Sequence, residues 1–137
     1  SAFVPVLADR SEKLGLNVER AEKILREASE QSERGIIPKL HEIKKLNDYF
    51  LSSSKDDRVI LLDKSGEPIK TCLSSADGQL LNVKGQMLNV FVGPEGGFTE
   101  DELKVAKEQG VKIVSLGSRV LRTETAGLVA AAILLNK

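Results

Sequence analysis

Two segments in the C-terminal half carry the residues best suited to bind a ligand. The first covers residues 93–97 and has the sequence Gly-Pro-Glu-Gly-Gly. Its glycines expose backbone N–H and C=O groups with little side-chain bulk, which suits a flat ligand bound through backbone hydrogen bonds. A tight turn between a strand and a helix would require the same residues. The spacing alone leaves both interpretations open.

The second segment, residues 119–125, places two arginines, a carboxylate and two hydroxyls just before the most apolar stretch of the chain. Helix capping by Thr123 or Thr125 would explain the threonines. It would not explain Arg119 and Arg122, because a charge beside an apolar segment is costly unless it is paired or bound to a ligand. We therefore favour a functional interpretation of this segment.

Other common kinds of site are not indicated. The sequence contains neither the phosphate-loop pattern nor the dinucleotide-binding glycine fingerprint. The single histidine, His41, is far in sequence from any nucleophile, so neither a catalytic triad nor a histidine metal site is predicted. The single cysteine, Cys72, cannot form an internal disulfide, which favours a reducing cytoplasm, and we expect it to fill the core. We expect no metal.

The composition is that of one globular domain. The chain has 137 residues, of which 41% are hydrophobic and 29% are charged. Twenty basic and twenty acidic side chains cancel, which excludes a generally basic coat for nucleic acid but not a local basic patch. No apolar run approaches the roughly 20 residues of a membrane-spanning helix, so we expect no membrane partner.

The elements that must position these segments alternate between strands and helices. The predicted strands cover residues 3–7, 59–62, 88–92 and 111–116. Four helices are predicted. The first begins at a cap on Asn17 and ends before Gly35, and the second covers residues 39–51. The third begins at a Thr99–Glu102 capping box and ends at Gly110, and the fourth covers residues 123–135. Short continuous apolar runs are typical of strands buried on both faces. The order predicts an α/β fold, a mainly parallel sheet with helices on both faces.

The last predicted helix differs from the others because it has no polar face. Residues 126–135 are all apolar or glycine, and such a helix must be buried all round. In a chain this small, we expect one side to pack on the sheet and the other on a second copy of the chain.

Ligands of parallel sheets bind beyond the carboxyl ends of the strands, where both chemically interesting segments are expected.

The two segments together resemble a known family. Val-Gly-Pro-Glu-Gly-Gly-Phe-Thr at 92–99 and Leu-Gly-Ser-Arg-Val-Leu-Arg-Thr-Glu-Thr-Ala at 116–126 resemble the ribosomal RNA small-subunit methyltransferase E family of the SPOUT superfamily. Residues 30–34 look like its Glu-Gln-Ser/Cys-Gly-Arg motif, and residues 9–11 match its Thr-Glu-Arg-Ser region in part. Two residues depart from the family pattern: Glu33 replaces a usual glycine and Ser118 a usual proline.

The resemblance implies a fold, a cofactor and an assembly. The fold would be a SPOUT methyltransferase domain over residues 1–137 that ends in a C-terminal trefoil knot. It would lack the family's first strand and helix and the PUA-like barrel domain that precedes them. Three strand-end loops would hold S-adenosylmethionine, and the apolar C-terminal helix would form a homodimer. By position, the cofactor-binding residues would be Leu62, Gly93, Pro94, Glu95, Gly96, Gly97, Leu116, Gly117, Val120, Leu121 and Arg122.

The implied reaction is methylation of uridine N3 in small-subunit (16S) ribosomal RNA, in the cytoplasm, with the small ribosomal subunit as partner. The N3 proton is weakly acidic, so such a site needs a base or a cation that stabilises the uracil anion. Arg122 and Arg34 are the candidate stabilisers. Glu124 either accepts the proton or only orients Arg122, and both roles stay open. The alternative function is a non-catalytic dimeric module that binds RNA or a nucleotide.

Overall fold

The computed structural model describes residues 1–52, 58–74 and 87–135. The strands in these ranges are β1 (Ala2–Phe3), β2 (Val6–Leu7), β3 (Lys39–Leu40), β4 (Lys44–Lys45), β5 (Arg58–Pro68), β6 (Leu88–Val92) and β7 (Lys112–Ser115). The helices are α1 (Val18–Gln31), α2 (Leu46–Ser52), α3 (Ile69–Ser74), α4 (Glu100–Glu108) and α5 (Thr123–Leu135). None of these helices is both long and apolar enough to cross a membrane.

The central sheet has the order β6-β5-β7, and both neighbours run parallel to β5. The three apolar runs predicted as strands therefore form one sheet. Strand β5 continues beyond the predicted end at residue 62. Its pairing with β7 breaks after Leu62, which lies opposite Val114, and resumes at Glu67, which lies opposite the same Val114. The sequence Asp-Lys-Ser-Gly at 63–66 is typical of a turn that ends a strand, but it forms a bulge within β5.

Neighbouring side chains along the sheet enter two different clusters. Leu61 of β5 packs in one cluster with buried residues of α2 and α4. Ile60 and Leu62, its neighbours in sequence, pack in a second cluster with buried residues of α3 and α5. Because successive strand residues point to opposite faces, helices cover both faces of this sheet. The predicted α/β architecture is confirmed.

The predicted helix over residues 39–51 was wrong in its first half. The chain there forms β3 and β4, which pair in parallel with β1 and β2, and only Leu46–Ser52 is helical. Strand pairing between residues almost 40 positions apart depends on backbone groups that local periodicity does not report. The predicted strand at residues 3–7 is confirmed as β1 and β2, interrupted at Pro5. The polar residues 52–57 predict a loop, and of these, residues 53–57 lie outside the described ranges.

Helix α1 begins as predicted but is less buried than its apolar periodicity suggests. Asn17 caps it by accepting a 2.9 Å hydrogen bond from the N–H of Arg20. Val18 and Ile24 on its apolar side are 51% and 54% exposed, and Ser29 is its one buried residue. Periodicity marks the side that can be buried, whereas burial requires an element to pack on it.

Helix α5 is confirmed over residues 123–135, but it is not buried all round within one chain. Ala130 is its one fully buried residue, while Leu128 and Leu135 are 73% and 78% exposed. Ala126, Ile133 and Leu134 pack against the cluster on the sheet. One side of α5 therefore lies on the sheet and the other presents large apolar side chains to solvent.

Candidate active site

Three loops converge around a cavity of about 440 Å³: the bulge at residues 63–66 within β5 and the loops that follow β6 and β7. Every residue predicted to bind a cofactor lines this cavity: Leu62, Gly93, Pro94, Glu95, Gly96, Gly97, Leu116, Gly117, Val120, Leu121 and Arg122. These residues are separated by up to 60 positions in the chain, and the parallel sheet places their loops at one edge because its strands end there together. Arg34 and Glu124 do not line the cavity.

The first loop contributes two polar residues that the sequence did not single out. Asp63 and Lys64 line the cavity directly after Leu62. Asp63 Oδ1 accepts hydrogen bonds from the N–H of Ser65 at 2.9 Å and from its hydroxyl at 2.6 Å. These two bonds fix the orientation of the Asp63 carboxylate. Asp63 and Lys64 could have been found in the sequence from their position directly after a predicted strand.

The second loop, residues 93–98, is called the glycine loop below. The N–H of Gly97 donates to the carbonyl of Pro94 at 2.8 Å, which closes a turn, and Gly97 has a φ of +68°. Only glycine adopts this conformation without strain. At Gly93, a Cβ would lie 2.8 Å from the ring of Phe98. Backbone conformation explains the glycine at position 97, and close packing explains the glycine at position 93. This loop is therefore a tight turn between a strand and a helix.

The predicted capping box of α4 is confirmed and has an additional partner. Thr99 and Glu102 exchange the two bonds of the box, at 3.2 and 2.8 Å. Glu102 is only 2% exposed, and its other oxygen accepts the N–H of Asp9 at 2.8 Å. One buried carboxylate thus joins the end of the glycine loop to the segment that follows β2.

The third loop is joined to the glycine loop by a threonine. Thr123 at the start of α5 donates its hydroxyl to the carbonyl of Gly93 at 2.9 Å. This hydroxyl therefore connects two loops of the cavity instead of capping its own helix, as the capping interpretation would have it. Within the third loop, the hydroxyl of Ser115 bonds to both the N–H and the C=O of Gly117.

Positive charge predominates among the side chains that line the cavity. The cationic side chains are those of Arg10, Lys64, Arg119 and Arg122, and the carboxylates are those of Asp63 and Glu95. Arg122 and Arg119 form no ion pair with a carboxylate in the described ranges. Their charge is thus available to an anionic group of a ligand.

The remaining predicted catalytic residues lie outside the cavity. Arg34 is exposed just beyond α1, where its N–H donates to the carbonyl of Ser29 at 2.9 Å. Glu124 is exposed in the first turn of α5, two residues from Arg122. The roles assigned to Arg34, Glu124 and Arg122 stay predictions.

Sequence reasoning also missed Arg10 as a residue of the site. Arg10 lines the cavity and donates hydrogen bonds to the glycine loop, to the carbonyls of Gly96 at 2.9 Å and Phe98 at 3.4 Å. Arg10 lies 86 positions from Gly96 in the chain. In the sequence, Arg10 was indicated only by the partial match of residues 9–11 to the family's Thr-Glu-Arg-Ser region.

The chain is similar to known proteins along almost its whole length, and not only at the site. A family model described as an RNA methyltransferase domain matches residues 1–135. Ribosomal RNA small subunit methyltransferase E of Rickettsia conorii is 34% identical over 95% of this chain, and that of Bacillus subtilis is 35% identical over 94%. The chain spans about half of these relatives, 51% and 53% of their lengths.

Two similar solved structures contain the same ligand. One is a putative methyltransferase of Legionella pneumophila in complex with S-adenosylmethionine, which is 25% identical with a TM-score of 0.80. The alignment covers 99% of this chain and 55% of that one. The other is ribosomal RNA small subunit methyltransferase E of Neisseria gonorrhoeae bound to S-adenosylmethionine, 27% identical with a TM-score of 0.76, covering 98% and 55%. The chain belongs to the RNA methyltransferase domain family.

Proposed function

We propose that this chain binds S-adenosylmethionine and transfers its methyl group to N3 of a uridine in small-subunit ribosomal RNA, in the cytoplasm. The observation that carries the proposal is the cavity, because three loops distant in sequence bring the complete predicted cofactor set together there. Family membership supports the methyl transfer and the ribosomal RNA substrate. Two similar solved structures hold S-adenosylmethionine, which supports the cofactor.

The residues around the cavity fit this cofactor chemically. Its volume of about 440 Å³ lies in the roughly 300–1,000 Å³ range of small-molecule sites. Leu62, Leu116 and Val120 would provide apolar contacts for a purine ring. Arg119 would attract the carboxylate of the methionine moiety, and Asp63 its ammonium group.

The chemistry assigned to this chain is stabilisation of charge on the acceptor base. Bound S-adenosylmethionine would supply an electrophilic methyl group. Arg122, at the cavity, would stabilise the uracil anion that forms when the N3 proton leaves. Arginine stays protonated and so cannot be the base. Glu124, two residues away, would accept the proton or orient Arg122.

We further propose a homodimer formed through α5. The outward side of this helix carries Leu128 and Leu135, both largely exposed in the single chain. A second copy of α5 would remove these side chains from water, which is favourable in proportion to the apolar area buried. Arg34, outside the cavity of its own chain, is retained as a candidate stabiliser.

A C-terminal trefoil knot is part of the same proposal. Its support is the repeated pairing of β5 with β7, first at Leu62 and again at Glu67 and Pro68. The segment between these pairings passes so close to β7 that a Cβ at Gly66 would lie 2.5 Å from the backbone of Ile113. The chain therefore lies directly against β7 just before α3.

Calorimetry and single-turnover methylation test the proposal. The wild-type chain should bind S-adenosylmethionine and form 3-methyluridine in small-subunit RNA, as identified by nucleoside mass spectrometry. Loss of one charge contact at a reacting centre costs about a hundredfold in rate, so Arg122→Ala should lower methylation by about that factor and cofactor affinity much less. Arg26→Ala, an arginine on exposed α1, is the matched control and should change neither.

Three outcomes would contradict parts of this assignment. Equal losses of rate and affinity in Arg122→Ala would make Arg122 a cofactor ligand instead of a catalytic residue. No loss in either would make the segment structural. RNA binding by a wild-type chain that binds no cofactor would favour the alternative, a dimeric RNA-binding module.

A further inference from the structure

The side chain of Arg10 connects two parts of the chain that lie far apart in sequence. Its Nη1 donates to the carbonyl oxygens of Gly96 and Phe98, at 2.9 and 3.4 Å. A guanidinium has five N–H donors in a rigid planar fork, so it can hold two carbonyls in a defined geometry. Arg10 forms no ion pair with a carboxylate in the described ranges. Its charge is therefore directed to the glycine loop.

The backbone that carries Arg10 is itself anchored. The N–H of Asp9 donates to the buried carboxylate of Glu102, whose other oxygen accepts the N–H of Thr99. Ser11 closes a turn with Ala8 through bonds of 3.0 and 3.1 Å. A buried charge-assisted hydrogen bond is among the stronger ones in proteins. Glu102 thus holds the position of Arg10 relative to the end of the glycine loop.

The stem of Arg10 also accounts for the glycine at position 96. A Cβ at Gly96 would lie 3.1 Å from Cβ of Arg10 and 3.3 Å from its Cδ, closer than ordinary van der Waals contact. At the neighbouring Gly97, a Cβ would meet nothing within 4 Å. A Cβ at position 96 would therefore force Arg10 to shift by a few tenths of an ångström, whereas at position 97 glycine is required for backbone conformation.

Arg10 contributes two of the four hydrogen bonds that the carbonyls of the glycine loop accept. Two carbonyls of the loop accept bonds from Arg10, and those of Gly93 and Pro94 accept bonds from Thr123 and Gly97. Four N–H groups of the loop have no partner among the described residues. They belong to Gly93, Glu95, Gly96 and Phe98, and the carbonyls of Glu95 and Gly97 have no partner there either. The loop therefore offers several N–H donors and two C=O acceptors to a ligand.

We propose that Arg10 is a positioning residue, which fixes the carbonyls of Gly96 and Phe98 so that the free N–H groups of the glycine loop are preorganised for the cofactor. This inference rests on the proposed function, because it takes the cavity to be the cofactor site. Preorganisation raises affinity by removing the cost of ordering the loop when the ligand binds. Glu102 acts in the same way, one step further from the ligand.

A double-mutant cycle measured by calorimetry with S-adenosylmethionine tests the inference. Hydrogen bonds to a charged group are worth enough that Arg10→Met should weaken binding about ten- to hundredfold. Arg10→Lys, which keeps the charge, should restore part of the affinity. Gly96→Ala should weaken binding by displacing Arg10, so the double variant should bind about as weakly as Arg10→Met alone. Arg26→Met, on exposed α1, is the matched control and should bind normally.

Several results would overturn the inference while the proposed function stands. One is wild-type affinity in Arg10→Met, and another is losses that multiply in the double variant, since independent effects are additive in free energy. A purely structural role predicts a lower urea midpoint for Arg10→Met, whereas positioning predicts a nearly unchanged midpoint. Positioning also predicts a raised KM for the cofactor with kcat largely retained at saturation, and a lost kcat would instead place Arg10 in the chemistry.

A separate measurement distinguishes failure of this inference from failure of the proposed function. If the wild-type chain binds no S-adenosylmethionine, the proposed function fails. Hydrogen exchange of the Gly97 amide, which is bonded to the carbonyl of Pro94, still reports on how firmly Arg10 holds the glycine loop, because exchange of a bonded amide depends on local opening. Faster exchange in Arg10→Met than in Arg26→Met supports the positioning role of Arg10, and equal rates overturn it.

Discussion

Replacing Glu33 with glycine should stabilise the protein. Helix α1 ends in the hydrogen-bond pattern in which the two residues after the C-cap bond backward. The N–H of Glu33 donates to Glu30 at 3.1 Å, and that of Arg34 to Ser29 at 2.9 Å. This pattern requires a left-handed residue at the position of Glu33, whose φ is +54°. Glu33 stands where the resembled motif has glycine, so the chain retains the turn but not the residue that fits it.

The expected gain follows from two opposing terms. A residue with a Cβ pays about 1–2 kcal/mol in the left-handed region. Glycine pays about 0.5–1 kcal/mol because its unfolded chain has more freedom to lose. Removing a negative charge from the C-terminal end of α1 adds a small favourable contribution, since carboxylates are unfavourable there. The net expectation for Glu33→Gly is about 1 kcal/mol, or about 3–5 °C in the melting temperature.

Urea and thermal unfolding measure this gain, with two further variants that separate its causes. Glu33→Ala removes the charge but keeps the Cβ, so it should gain much less than Glu33→Gly. Glu30→Gly makes the same chemical change three residues earlier, inside the helix, where glycine should cost about 0.5–1 kcal/mol. The reasoning is refuted if Glu33→Gly is no more stable than the wild type, or if alanine gives the same gain as glycine.

Three further predictions concern packing, assembly and pH. Gly66→Ala should cost about 3 kcal/mol or more in urea unfolding, because its Cβ would lie 2.5 Å from the backbone of Ile113. Gly35→Ala, whose Cβ would meet nothing within 4 Å, is the control, and equal effects would contradict the packing argument. Leu128→Asp should abolish dimerisation in sedimentation with circular dichroism unchanged, and a stable wild-type monomer at micromolar concentration would exclude the α5 dimer. Burial raises the pKa of the Cys72 thiol; the folded state therefore favours the neutral thiol, and stability should fall as the pH rises above the ordinary thiol range. Cys72→Ala should lose this part of the pH dependence, and identical pH profiles would contradict it.

The sequence by itself determined the local features of this protein. Apolar runs without alternation predicted β5, β6 and β7, because strands covered on both faces need apolar side chains on both. The caps at Asn17 and Thr99 were readable for a similar reason, since a helix start uses side chains within three or four residues of one another. The cofactor set was predicted by family resemblance and the position of loops after strands. Such signals lie within short stretches of chain.

Only the tertiary structure decided which distant residues meet. The pairing of β3 and β4 with β1 and β2 replaced half of a predicted helix, because backbone pairing leaves no period in the side chains. The approach of Arg10 to Gly96, and the bridge from Glu102 to Asp9, join positions about 90 residues apart. The apolar side of α1 is open, whereas the outward side of α5, which was predicted to pack on a second copy, is exposed in the single chain. Periodicity records what a surface can bury, whereas contact depends on where the whole chain places its partners.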